Sequence, residues 1–275
     1  MNEQYGMNQF GKVSQLTLKA ACRDGKTYLE DVYFTAPYKV MQPFEKTGDG
    51  IEVMPLCASA GIMKGDVQKF EYEVGQGADL EILSQSFEKI HKMDGGCARR
   101  EVRAAVASGG TLYYYPQPVI PFAGSAFESD MVIHLADQTS KLFLLDIISC
   151  GRTAREERFA YRRFVSKVSI YRGEKLIYRD NTRYEPDKMP MEGIGMYEGY
   201  SHMANVFLTG CVDGDGRFDG GKTLELQEKI WEIIESQPDC EGGVSRMAGG
   251  DLAVRIFGNR AQILQDLAEK IKALF

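Results

Sequence analysis

The chain has 275 residues, 44% of them hydrophobic, enough to bury one large core or two modest ones, and it carries a formal charge of −6. That acidic balance, without a basic stripe, speaks against a nucleic-acid partner, and no run of about 18 apolar residues offers a membrane span. Residues 1–15 contain no apolar core of signal-peptide length, so a soluble, cytoplasmic protein is expected.

In chain order, short segments rich in β-branched and aromatic side chains alternate with Gly, Asp and Pro. Strands are expected at Gln15–Cys22, Tyr28–Thr35, Ile51–Leu56, Val67–Val74, Asp79–Leu83, Arg99–Ala107, Thr111–Tyr115 and Met131–Leu135. Further strands are expected at Lys141–Ser149, Phe159–Tyr171, Lys175–Arg179, Asn205–Val212 and Leu252–Phe257, with turn signals such as Asp24-Gly25, Gly109-Gly110 and Arg172-Gly173 between them. Pro186–His202, rich in Gly, Pro and Met, reads as a mobile loop. Two segments read as helix. Leu226, Ile230, Ile233 and Ile234 share one face between Lys222 and Ser236, and Leu264, Leu267, Ile271 and Leu274 share another from Asn259 onward. The expected fold is mainly β, with helically wound or stacked β-sheets of β-solenoid-like character and two α-helices near the C-terminus, in one domain over 1–275.

Cysteines at 22, 57, 97, 150, 211 and 240 form no CxxC pair, and the three histidines stand far apart. This spacing suits reduced, buried thiols better than a disulfide scaffold or a metal cluster.

Several motifs invite a chemical reading. Gly216 to Thr223 fits the phosphate-binding pattern GxxxxGK[ST], in which Lys222 would neutralise phosphate and Thr223 would hold Mg²⁺. Against it, Asp213 and Asp215 put acidic charge where phosphate would sit, and too little chain follows for the parallel sheet such folds need; a glycine-rich turn opening a helix is the plainer reading. Asp213, Asp215 and Asp219 mimic a calcium loop, but Arg217, Phe218 and Leu224 occupy positions where that loop requires an acid, a glycine and a glutamate. Pro116, Pro118 and Pro121 interrupt an aromatic run, and each fixes its φ and removes a donor, so a regular ladder must stop there. Asp66 opens a strand, Asp146 lies within an apolar strand, and Asp180 follows Lys175–Arg179. A buried acid costs free energy unless it is paired or wet, so each either meets an arginine or lines a wet internal passage.

Taken in order, several segments resemble the UreD (UreH) urease accessory protein family. Thr35 to Phe44 looks like its proline-led opening segment, and Ser59 to Asp66 like its glycine-rich turn before an aspartate. Ser84 to Lys92 resembles a family strand, keeping Gln85 and Lys89 but placing His91 at the usual tyrosine. Pro116-Gln117-Pro118 with Ile120 to Ser125 matches the PQPxIPFxGS signature, and Gly151 to Phe159 matches GRxAxxExF. Tyr113 departs from the family, standing where an acid is common, and 186–205 matches nothing recognisable.

The resemblance implies a β-rich, helically wound, non-enzymatic scaffold that binds urease apoprotein subunits and UreF, and through UreF the GTPase UreG. It also implies Ni²⁺ in transit through an internal tunnel, with no stably bound cofactor and no nucleic-acid or membrane partner. The candidate stations are Asp66, Asp146 and Asp180; scattered carboxylates suit release, because nitrogen and sulfur clusters would trap nickel. Gln85, Lys89, Pro116, Gln117, Pro118, Pro121, Phe122, Gly124, Arg152 and Glu157 are candidates for partner binding or for shaping the core. The alternatives are a β-solenoid hydrolase and a nucleotide-binding enzyme using 216–223.

Overall fold

Alternation of apolar and polar side chains at a period of two, as in Val67–Val74 and Ala98–Val106, gives strands with one buried and one open face. The computed structural model describes residue 11 and residues 13–275; residues 1–10 and 12, on which the leader expectation largely rests, lie outside the described residues. The strands are β1 (Val13–Arg23), β2 (Lys26–Phe34), β3 (Tyr38–Lys39), β4 (Phe44–Glu45), β5 (Ile51–Val53), β6 (Leu56–Cys57), β7 (Val67–Val74), β8 (Asp79–Leu83), β9 (Glu88–Ile90), β10 (Ala98–Val106), β11 (Thr111–Tyr115) and β12 (Val119–Pro121). They continue with β13 (Ala126–Leu135), β14 (Lys141–Ser149), β15 (Arg163–Arg172), β16 (Lys175–Tyr184), β17 (His202–Leu208), β18 (Cys240–Arg246) and β19 (Leu252–Gly258). The helices are α1 (Gly220–Glu235) and α2 (Ala261–Lys272).

The protein is mainly β, with two helices near the C-terminus, and its sheets do not close into a barrel. A seven-stranded sheet runs β16-β15-β13-β10-β7-β1-β2, and a ten-stranded sheet follows β18-β19-β17-β14-β11-β8-β5-β4. The chain passes repeatedly between them, β7 to β8, β10 to β11 and β13 to β14, so β1, β7, β10, β13 and β15 pair in parallel, as do β5, β8, β11 and β14. Between the sheets lies the largest core cluster, with Leu18, Phe70, Val102 and Ile133 facing Leu80, Leu112, Leu144 and Phe207. A second cluster seats α1 and α2 on the outer face of β14, β17 and β19, and a third gathers Phe127, Phe164, Tyr161, Tyr197 and Met203.

Several expectations need correction. The expected strand at Asn205–Val212 lies earlier, at His202–Leu208, and Val212 makes only an isolated bridge to Phe218. The one placed at Phe159–Tyr171 starts at Arg163, because Glu156 and Phe159 adopt positive φ (57° and 48°) in a tight turn. The Pro186–His202 stretch is irregular but not loose: Met191 and Tyr197 are buried in the third cluster. All six cysteines are free, yet Cys150 alone is fully buried and Cys57 is exposed, so "buried thiols" holds for only one.

Candidate functional site

Parallel pairing brings one residue from each strand of the seven-stranded sheet into line. Ser14 on β1 stands opposite Gln68 on β7, Gln68 opposite Arg100 on β10, and Arg100 opposite Ser129 on β13. Ser166 on β15 and Thr182 on β16 complete the row. Each of the first five alternates along its strand with core residues two positions on, such as Leu16, Phe70, Val102, Met131 and Val168, so the row faces between the sheets. Facing it on the ten-stranded sheet are Asp146 (β14), Asn205 (β17) and Arg255 (β19), also register partners. Ser129, Ser166, Asp146 and Asn205 keep partial exposure despite this interior position.

At one end the layer opens into a cavity of about 480 Å³ lined by Ser14, Gln68 and Arg100 from one side and by Ser84, Glu88 and Tyr114 from the other. Arg100 is only 5% exposed. Its Nε and Nη2 donate to Gln68 Oε1 at 2.9 and 2.7 Å, and Nη2 also donates to Glu88 Oε1 at 2.6 Å. Glu88 Oε2 lies at 2.6 Å from the same nitrogen but receives no aligned donor among the described residues. Burial opposes the Arg100 charge, but Glu88, together with Tyr114 and Tyr38, outweighs it and holds the guanidinium charged.

At the centre, burial pushes the Asp146 carboxyl up to about 6, against the opposing influence of Arg100 and the Ser166 hydroxyl. Asp146 has no salt bridge among the described residues, so the arginine-pairing alternative does not apply to it. At the far end, Arg255 Nε donates to Asn205 Oδ1 at 2.8 Å while Nη2 reaches Asp180 Oδ2 at 3.4 Å, so Asp180 is ion-paired. The structure thus brings Asp146 and Asp180 into one layer. Asp66 is separate: it lines the cavity mouth, where its carboxylate accepts from Met63 N at 2.7 Å and Gly11 N at 3.3 Å and shapes the turn.

The family-like segments meet around this cavity. Gln85, Lys89 and Pro116 line it. The ladder breaks at Pro116 and Pro118 and resumes for β12, where Val119 pairs Glu88 and Pro121 pairs Ile90. Gln117 N donates to Ser84 Oγ, and its side chain accepts from Gln265 on α2. The Phe122 ring meets His91 in an edge contact and the Arg152 guanidinium at 4.1 Å. Arg152 donates to Glu157 in a two-pronged pair, Nε at 2.7 Å, and Glu157 Oε2 accepts from Ala123 N. Gly124 adopts a φ of 71° and lies against Lys92. Tyr113 points to the opposite face, packed on Phe143 and Phe275, so its departure from the family leaves the inner layer untouched.

The phosphate-loop reading fails on geometry. Asp219 caps α1 by accepting from Lys222 N, so a carboxylate already occupies the helix N-terminus, and Lys222 Nζ turns back to it at 3.5 Å. The Thr223 hydroxyl is fully buried and accepts from Cys211 N. The preceding strand, β17, is flanked by antiparallel partners. Among the described residues no group of three or more His, Cys, Asp or Glu could hold a metal ion, and no helix is long and apolar enough to cross a membrane.

The polar layer itself was missed in the sequence, where each member is a single ordinary residue in an apolar strand. Its signal is the recurring spacing Gln68-x-Phe70, Arg100-x-Val102, Ser129-x-Met131 and Ser166-x-Val168.

Fold and site together define a mainly β framework built around a buried, charged polar layer that opens into a cavity. The chain belongs to the UreD urease accessory protein family, which matches residues 12–275. It is 37% identical over 269 residues to the urease accessory protein UreH of Helicobacter pylori (strain G27), covering 98% of this chain and 97% of that protein. It is 36% identical over 266 residues to the urease accessory protein UreD of Acetivibrio thermocellus, with 96% and 98% coverage. A urease accessory protein UreD from Flavobacterium johnsoniae is 26% identical over 263 residues.

Proposed function

We propose that this protein is a non-catalytic, cytoplasmic urease maturation factor that binds apo-urease and the UreF–UreG accessory proteins and guides Ni²⁺ toward the urease active site. Family membership and the relatives' names support the role in urease maturation. The observation that carries the nickel reading is the polar layer, in which partly exposed oxygen side chains and the acids Asp146 and Asp180 lie between two apolar clusters. Hard oxygen donors at separate points hold a borderline ion weakly, which suits passage better than storage. The helically wound path of the chain serves this role by stacking equivalent positions into a continuous row. Pro116–Ser125 and Gly151–Phe159, locked together by Phe122, Arg152 and Glu157, form a rigid rim for partner docking or for shaping the cavity.

The test is to co-express the chain with urease subunits and the other accessory proteins. Asp146→Ala is expected to leave copurification with urease and UreF intact while lowering the nickel content of urease. A variant urease that fills normally makes Asp146 merely structural, and failure of the wild-type chain to copurify with either partner contradicts the scaffold role.

A further inference from the structure

We infer that Arg100 and Arg255 are counter-cations, each neutralising a carboxylate at one end of the polar layer and yielding it to a divalent cation in transit. The inference deepens the nickel-guiding reading and rests on it.

The two ends share one bonding pattern, although Arg100 is buried and Arg255 half-exposed. Arg100 is held by an amide oxygen, Gln68 Oε1, and by a carboxylate, Glu88. Arg255 is held by an amide oxygen, Asn205 Oδ1, and by a carboxylate, Asp180. A partly buried carboxylate left bare is costly to keep ionised, and the guanidinium removes that cost while no metal is present. A permanent ion pair with every acceptor satisfied would close the path. Neither pair uses a full two-pronged fork: a single nitrogen, Arg100 Nη2, serves both Glu88 oxygens at 2.6 Å, and the Arg255–Asp180 contact is long at 3.4 Å. The amide oxygens supply the second hand. When an incoming cation takes the carboxylate, Gln68 or Asn205 retains the displaced guanidinium nearby, ready to return once the ion moves on. The exchange is one cation for another at a carboxylate, with no proton or electron transferred. It also accounts for arginine in a path proposed for cations, since the positive charge keeps each station from binding metal tightly.

The test measures Ni²⁺ affinity of the purified full chain by equilibrium dialysis against nickel chloride, with no urease present. Arg255→Met and Arg100→Met are each expected to bind Ni²⁺ at least about tenfold more tightly than wild type, a change of about 1.4 kcal/mol. Adding Asp180→Asn to the first, or Glu88→Gln to the second, is expected to abolish the gain. Should Arg100→Met not fold, the half-exposed Arg255 pair carries the test alone. Unchanged affinity in Arg255→Met, or a gain that survives Asp180→Asn, overturns the inference. The readout is independent of urease: a gain in affinity from a chain that plays no part in filling urease would sustain the counter-cations and reject the maturation role.

Discussion

Replacing Asp146 with asparagine is expected to stabilise the protein at neutral pH while damaging its role. Burial moves the Asp146 carboxyl from 3.8 to about 6. A folded-state value above the unfolded one means that folding disfavours the ionised form. The associated stability is complete below about pH 4 and is lost as pH rises through about 6. The displacement from 3.8 to about 6 corresponds to about 3 kcal/mol of destabilisation by the ionised group once pH is well above 6. Asparagine keeps the shape and a hydrogen-bonding oxygen without the charge. Urea unfolding at about pH 7.5 is therefore expected to show Asp146→Asn more stable than wild type by about 2–3 kcal/mol, with the gap closing to within about 0.5 kcal/mol near pH 4. Equal stabilities at pH 7.5, or a gap independent of pH, would refute the claim that a partly buried carboxylate is kept here at a thermodynamic cost. Retention of such a group is what a functional, not a structural, role for Asp146 requires.

Other positions give sharper structural tests. Asp251 is 1% exposed and accepts from Arg172 Nη1 at 3.0 Å, Arg172 Nη2 at 2.7 Å and Gly210 N at 3.1 Å. Arg172→Met strands that carboxylate and is expected to cost about 3–5 kcal/mol in urea unfolding, where a loss under about 1 kcal/mol would contradict the buried pair. Thr223→Val orphans Cys211 N and is expected to cost about 1–3 kcal/mol, whereas Lys222→Ala should stay within about 0.5 kcal/mol of wild type. Neither substitution should alter GTP or ATP binding measured by calorimetry; tight binding that disappears with Lys222→Ala would revive the nucleotide-enzyme alternative.

Several strands were legible because their inner faces are apolar nearly throughout: Val67–Val74, Asp79–Leu83, Thr111–Tyr115 and Lys141–Ser149 sit where the sequence pattern puts them. Lys141–Ser149 reads as a continuous apolar run because β14 is covered on both faces, by the inter-sheet core and by the helices. β18, with the sequence Cys-Glu-Gly-Gly-Val-Ser-Arg, escaped notice because glycine weakens strand propensity, and only pairing with β19 makes it one. The polar layer was hidden for a different reason. Gln68, Arg100, Ser129 and Ser166 are roughly thirty residues apart in sequence, and only the register of parallel neighbours aligns them. Asp146 stood out because an acid breaks an otherwise apolar strand; Arg100 did not, since it sits in a strand that already carries surface arginines. The 216–223 pattern misled in the opposite sense. Its letters match a phosphate loop, but the capping carboxylate of Asp219 decides what the helix N-terminus binds.

The central claim is that nickel reaches urease by way of this protein's inner polar layer. It is tested most directly by the metal content of urease purified from cells grown at ordinary nickel levels. Those cells would carry the wild-type chain, the Asp146→Asn chain or none, with the other accessory proteins present throughout. The account predicts filled urease with wild type and largely empty urease in the other two cases. Fully metallated urease in cells lacking the chain would contradict it.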